Sequence, residues 1–97
     1  MPYVSEENRR HLNDCIDNMA DVLKQNNLEF HNVLGNINYC FSRVLSQVMG
    51  DVSYSKIAMA TGVLENIKQE FYRRIGVSLE DKKIIENGDI PEYKRLC

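Results

Sequence analysis

The sequence has no long apolar run and few cysteines. No stretch approaches the ~20 apolar residues of a membrane-spanning helix, and the N-terminal residues lack the apolar core of a signal peptide. The three cysteines are widely spaced and include no CxxC pair, which favours free thiols over disulfides. We therefore expect a cytoplasmic protein that does not bind a membrane.

An excess of one charge is also missing. The 12 lysines and arginines are nearly balanced by 14 aspartates and glutamates, for a formal net charge of −2. The basic residues form no stripe with interleaved aromatic side chains along one predicted element. Electrostatics therefore provides no general attraction for a phosphate backbone, and we expect no nucleic-acid partner.

The usual sequence signatures of catalysis are absent. The five glycines are scattered rather than grouped in a phosphate-binding loop, and no residue has the sequence context of an activated nucleophile. His11, Asp14 and Cys15 share one side of a predicted helix, but no second cluster completes the four ligands of a zinc site. We interpret the chain as a binding protein rather than an enzyme, without a cofactor or a metal ion.

Apolar residues recur instead at intervals of three and four, the spacing typical of amphipathic helices. With 97 residues and 43% hydrophobic content, the chain is expected to form a single soluble domain. The pattern predicts helices over residues 5–25, 36–49 or 28–49, 53–75 and 79–86, followed by a tail over 89–97. The predicted fold is all-α, an antiparallel bundle of three helices with a short C-terminal helix and an extended tail.

Polar residues and glycines mark the predicted helix ends. Ser5 and Ser53 are predicted N-caps, and Ser78 begins the short fourth helix. Asn26-Asn27 predicts a turn after the first helix. Gly76 supplies the left-handed residue that is expected to end the third helix.

The sequence allows two starting residues for the second helix. Phe30 and Val33 lie in phase with the later apolar residues, which favours a helix that begins at Leu28. Gly35 costs ~1 kcal/mol inside a helix, and Asn36 is a good N-cap, which together favour a start at residue 36. The sequence alone leaves both readings open.

One edge of the third helix is a candidate ligand site. Lys68 lies inside the apolar arc, where it either pairs with Glu65 and extends to water, or faces a groove with Tyr72 and binds an anionic ligand. On the second helix, Tyr39 and Arg43 are four residues apart and form either a ligand shelf or a solvated face. The candidate ligand-binding residues are Lys68, Tyr72, Glu65, Thr61, Arg74, Tyr39 and Arg43.

Several short motifs are spread along the chain: Met1–Val4, Asn38-Tyr39, Gly62–Glu65 with Lys68, Glu70–Arg74 (EFYRR), Glu80–Ile84 (EDKKI) and Glu86–Asp89 (ENGD). Together they resemble a small uncharacterised family of bacteriophage and bacterial proteins. The resemblance covers most of the chain and is strongest from Ser53 onward. The sequence departs from the family around Leu28–Leu34 and at Val77–Leu79. The resemblance implies an origin, with a bacterial host cell as the location if the protein is phage-encoded, and no activity.

We expect one of three functions. The first is a non-enzymatic binding protein, such as a phage accessory or counter-defence protein, that sequesters a small anionic, nucleotide-like signal or inhibits a host protein. The second is a structural or assembly accessory that binds another protein through its C-terminal segment, with Arg73, Ile84 and Ile85 as candidate contacts. The third is a small enzyme. Because three helices form a core too small to cover every apolar stripe, we also expect a homo-oligomer.

Overall fold

The computed structural model describes residues 4–25 and 29–97, and these residues form helices and no strand. The helices are α1 (Glu6–Lys24), α2 (Phe30–Met49), α3 (Tyr54–Phe71), α4 (Val77–Asn87) and α5 (Pro91–Leu96), with a π turn over Tyr72–Gly76. The predicted all-α class is confirmed. The chain divides into two units, Met1–Gly50 and Asp51–Cys97, and each is described by itself.

The first unit is built from α1 and α2, which contact each other. Burial is greatest towards the end of α1 and the beginning of α2. Val33 is only 7% exposed, and Met19, Ala20 and Leu23 are half-buried. The apolar stripes of the two helices therefore cover each other in this region, which gives the first unit a small core.

Serine side chains cap α1 and α3, as their positions predict. The Ser5 hydroxyl accepts the backbone N–H of Asn8 at 3.2 Å. The Ser53 hydroxyl likewise accepts the backbone N–H of Lys56 at 3.1 Å. Each hydroxyl satisfies a donor that has no partner inside its helix, a contribution of ~1 kcal/mol.

The structure begins α2 at Phe30 rather than at residue 36. Glu29 occupies the N-cap position without a side-chain cap, and Gly35 and Asn36 lie inside the helix. The apolar face that includes Val33 therefore outweighs the local preference of the glycine for a helix end. The predicted turn at Asn26-Asn27 and the alternative start at Leu28 lie outside the described residues.

The second unit corrects the predicted end of the third helix. Gly76 has a φ of −65°, so it is not left-handed, and the backbone continues through the π turn into α4. The N–H of Val77 bonds to the carbonyl of Tyr72, the five-residue spacing of a π turn. Ser78 accordingly lies inside α4 and does not cap it. Between Tyr54 and Asn87, α3, the π turn and α4 form one uninterrupted helix.

The tail also differs from the extended segment that the sequence predicts. The Asp89 carboxylate accepts the N–H of Ile90 at 2.8 Å, and α5 begins at Pro91. Proline suits the first helical position because its fixed φ is already helical and its missing N–H would have no partner there. Lys94 and Arg95 in the last turn interact favourably with the negative end of the helix dipole.

Candidate functional site

The predicted ligand edge lies on α3, where Lys68 is paired with Glu65. The Lys68 Nζ lies 3.7 Å from the Glu65 carboxylate, and the two side chains are 76% and 51% exposed. The Gln69 side-chain amide donates to the same carboxylate at 3.1 Å. Thr61 is exposed one helical turn earlier. An exposed pair of this kind contributes ~0.5 kcal/mol, so it is easily broken and does not hold Lys68 rigidly for a ligand.

Tyr72 is anchored across the π turn. Its hydroxyl donates a hydrogen bond to the Glu80 carboxylate in α4. That hydrogen bond, followed by the negative charge of Glu80, raises the pKa of Tyr72 above its ordinary value. The Tyr72 ring also lies against Gly76, because a Cβ at Gly76 would come within 2.9 Å of the Tyr72 Cδ2. The phenol therefore fixes the π turn and already has an acidic partner.

The arginine side chain at the π turn has an acidic neighbour as well. The Arg74 Nη1 lies 3.4 Å from the Glu70 carboxylate, one turn earlier in the helix. Arg73 is exposed beside it. Lys68, Tyr72 and Arg74 thus each have a glutamate beside them, although Arg74 and Glu70 lie on the other side of the apolar seam from Lys68. An anionic ligand bound to any of these three groups lies close to a carboxylate.

The other predicted ligand residues belong to the first unit. The Arg43 guanidinium lies 5.8 Å from the centroid of the Tyr39 ring, as their four-residue spacing on α2 allows. Tyr39 is 63% exposed, so this cation–π contact contributes about 0.5–1 kcal/mol. Both side chains are exposed on α2, and the guanidinium already covers one face of the ring.

Two of the predicted partner-binding residues, Ile84 and Ile85, belong to a group of exposed apolar residues in α4 and α5 (Ile84, Ile85, Tyr93 and Leu96), named here the C-terminal surface, whereas Arg73 lies in the π turn. Ile84 is 42% exposed and Ile85 is 85% exposed, both on α4. In α5, Tyr93 and Leu96 are 61% and 69% exposed, and α5 does not pack on α3 or α4. Sequence reasoning missed the two α5 residues because it treated the tail as extended. Pro91, which suits the first turn of a helix, was the available signal.

Two kinds of site are missing from the part of the chain that the structure describes. No group of three or more histidine, cysteine, aspartate or glutamate side chains is placed to hold a metal ion there. No helix within residues 4–25 and 29–97 combines the length and hydropathy needed to cross a membrane. Cys15, Cys40 and Cys97 are free thiols. The candidate surfaces on the described residues are Lys68, Tyr72 and Arg74 with their glutamate partners, the Tyr39–Arg43 pair and the C-terminal surface.

Comparison with known proteins identifies a family but no activity. No curated protein and no solved structure matches the chain. A family model matches residues 1–90, a range that includes every candidate residue from Tyr39 to Ile85 and ends just before α5. This match confirms the resemblance to a family without a known function. The chain belongs to the family described as a domain of unknown function, DUF6899.

Proposed function

We propose that this chain is a non-enzymatic binding protein whose target is another protein. The supporting observation is the C-terminal surface, defined by Ile84, Ile85, Tyr93 and Leu96, on which Ile85 is 85% exposed. Exposed apolar and aromatic residues that lie close in sequence are typical of protein-binding surfaces. Arg73, Lys94 and Arg95 supply basic groups in the same unit, which favours a partner with an acidic rim.

The glutamates beside Lys68, Tyr72 and Arg74 favour a protein partner over a small anion. Sequestration of a nucleotide-like signal by Lys68, Tyr72 and Arg74 is the competing hypothesis. It requires a phosphate to approach Glu65, Glu70 and Glu80, which are the present partners of those three groups. Electrostatic repulsion between the phosphate and these carboxylates opposes binding. We therefore assign Tyr72 a role in supporting the π turn, and we assign no ligand site to Lys68 and Arg74.

The proposed setting is the cytoplasm, with a host protein as the target if the chain is a phage accessory protein. We also propose that the chain works as a homo-oligomer. Large apolar residues on α3, including Ile57 and Leu64, are about half exposed, which supports association with other chains. The C-terminal surface and α3 then serve different contacts on the same molecule.

The C-terminal surface is tested by charge insertion at its most exposed apolar residue. Immobilised wild-type chain, Ile85→Asp and the control Ser78→Asp are each exposed to host lysate, and retained proteins are quantified by mass spectrometry. Ser78 is exposed on the same face of α4, about 10 Å and two turns before Ile85, so the control introduces the same charge on that face away from the four apolar residues. We expect a protein that binds wild type and Ser78→Asp but is depleted about tenfold by Ile85→Asp, as for a central interface residue.

A retained small molecule contradicts this assignment. Native mass spectrometry of gently purified protein reports any bound mass of nucleotide size. If such a mass is present and is lost in Lys68→Ala and Tyr72→Ala, the ligand hypothesis replaces the protein-partner hypothesis. If no protein discriminates Ile85→Asp from Ser78→Asp, the C-terminal surface is not the contact.

A further inference from the structure

The apolar face of α3 has the spacing of a helix that pairs with one other helix. Ile57, Ala60, Leu64, Ile67 and Phe71, together the α3 seam, follow one another at intervals of three, four, three and four residues. This is the heptad spacing of positions a and d in a coiled coil. Its four large side chains are 46–67% exposed, and within the second unit only the π turn that continues α3 contacts this helix.

Charged residues beside the seam indicate the direction of the partner helix. In an antiparallel pair of identical helices, the edge formed by the g positions of one helix faces the same edge of the other. On α3 this edge carries Lys56, Val63 and Glu70 at equal spacing. A twofold axis beside Val63 brings Lys56 of each copy to Glu70 of the other. A parallel pair instead sets Lys56 opposite Thr61 and Val63 opposite Lys68, with no opposite charges in contact.

We propose that two copies of this chain pair antiparallel through their α3 seams. The register set by the charges places Ile57 opposite the partner's Ile67, and Ala60 opposite the partner's Leu64. A small residue then meets a large one on either side of the twofold axis, which allows the helices to approach closely. The charge pattern selects this register, and the apolar pattern is compatible with it.

The opposite edge of the seam is compatible with this register. It carries Tyr54, Thr61 and Lys68, so Thr61 meets its own copy and Lys68 approaches the partner's Tyr54. Tyr54 is 94% exposed, and the Lys68 side chain is 76% exposed in its ion pair with Glu65. A lysine over a tyrosine ring is a favourable contact. The predicted ligand residue Lys68 thus acquires a role between the two copies.

The seam ends where the π turn begins. After Phe71 the aliphatic residues are Ile75, Val77 and Leu79, and the step from Phe71 to Ile75 is four residues where the heptad spacing requires three. A π turn accommodates one additional residue in a helix, and it occurs here over Tyr72–Gly76. The paired segment is therefore α3 itself, whose 18 residues span about 27 Å. The inference rests on the proposed self-association and leaves the C-terminal surface available for a different partner.

Complementary charge reversal tests the pairing in the full chain. Lys56→Glu places two glutamates together at both ends of the paired segment, and Glu70→Lys places two lysines together. We expect each variant to self-associate about tenfold more weakly than wild type, because ion pairs become like-charge contacts. An equimolar mixture of the two variants should restore dimers as the heterodimer, identified by its mass in native mass spectrometry. The double variant Lys56→Glu/Glu70→Lys should also restore the homodimer.

The rescue is specific for contact between two chains. Lys56 and Glu70 are 70 − 56 = 14 residues apart, about 21 Å along one helix, so they cannot compensate for each other within α3. Asn66→Lys, on the outer side of α3, is the control and should dimerise as wild type does. The proposal is overturned if wild type is monomeric throughout a concentration series, or if neither the mixture nor the double variant regains the dimer. Since these variants leave Ile85 intact, that failure does not affect the proposed C-terminal contact.

Discussion

The two units of the chain cover their apolar residues to different degrees. In the first, α1 and α2 contact each other, and Val33 is 7% exposed. In the second, every large hydrophobic side chain is at least 37% exposed, the lowest value being that of Val77. Both units consist of amphipathic helices with similar apolar spacing. The difference is that a pair of helices can cover each other, whereas one uninterrupted helix has no second helix of similar length in its own unit.

This contrast separates two sources of helix stability. An isolated helix is marginal in water, and most of its stability in proteins comes from packing of its apolar face. Val33 receives that packing from its own unit. Leu64, on the α3 seam, receives it only when another surface covers α3. Stability in the first unit should therefore depend on the chain alone, while stability in the second should depend on concentration.

The largest expected effect comes from breaking the core of the first unit. Val33→Asp places a carboxylate at a position that is only 7% exposed, and we expect a loss of about 3 kcal/mol in the free energy of unfolding. Urea denaturation followed by circular dichroism measures the loss. Val48→Asp, at a position 81% exposed on the same helix, is the control and should change stability by less than ~0.5 kcal/mol. Equal losses for the two variants contradict the small core around Val33.

The second-largest expected effect is a loss of stability in the second unit that depends on protein concentration. Leu64→Ala removes a side chain that is 50% exposed in the single chain and covered in the proposed pair. We expect a loss of about 2 kcal/mol at concentrations where dimers form, and a smaller loss on dilution. The measurement is urea denaturation at several protein concentrations. Met59→Ala, 62% exposed outside the seam, should show no such dependence. A concentration-independent loss for Leu64→Ala indicates that the chain covers its own seam.

Glycine substitutions compare the helix interiors of the two units. A Cβ added at Gly35 in α2 would meet nothing within 4 Å, so Gly35→Ala should stabilise the protein by ~1 kcal/mol through helix propensity. Gly76→Ala adds a methyl group 2.9 Å from the Tyr72 ring, and we expect it to destabilise instead. In a Tyr72→Ala background, Gly76→Ala should become stabilising. Thermal unfolding of the four proteins in this cycle measures the change of sign, and a stabilising Gly76→Ala in the wild-type background refutes the contact.

Helix periodicity and the serine caps were predictable because they depend on residues close in sequence. The all-α class, Ser5 and Ser53 follow directly from such local patterns. Gly76 was wrongly predicted to be left-handed, because nothing local reveals that the Tyr72 ring occupies the space of its missing side chain. The pair of Lys68 and Glu65 follows from their spacing, whereas the hydrogen bond from Tyr72 to Glu80 depends on the π turn. A site that spans a helix irregularity could not be read from regular spacing.

The smallest expected effect concerns the pH dependence of the π turn. The hydrogen bond to Glu80 favours the neutral phenol and raises the pKa of Tyr72, so its contribution is present below the ordinary tyrosine pKa of 10.0 and is lost as pH rises through the raised value. Glu80→Gln removes the negative charge, and Tyr72 should then titrate at a lower pH. Ultraviolet difference titration of each protein against its Tyr72→Phe counterpart isolates this one tyrosine. Glu86→Gln, on the same helix beside Lys83, is the control and should leave the titration unchanged. Because Glu80 is the cause of the raised pKa of Tyr72, an unchanged titration in Glu80→Gln contradicts the hydrogen bond that joins the π turn to α4.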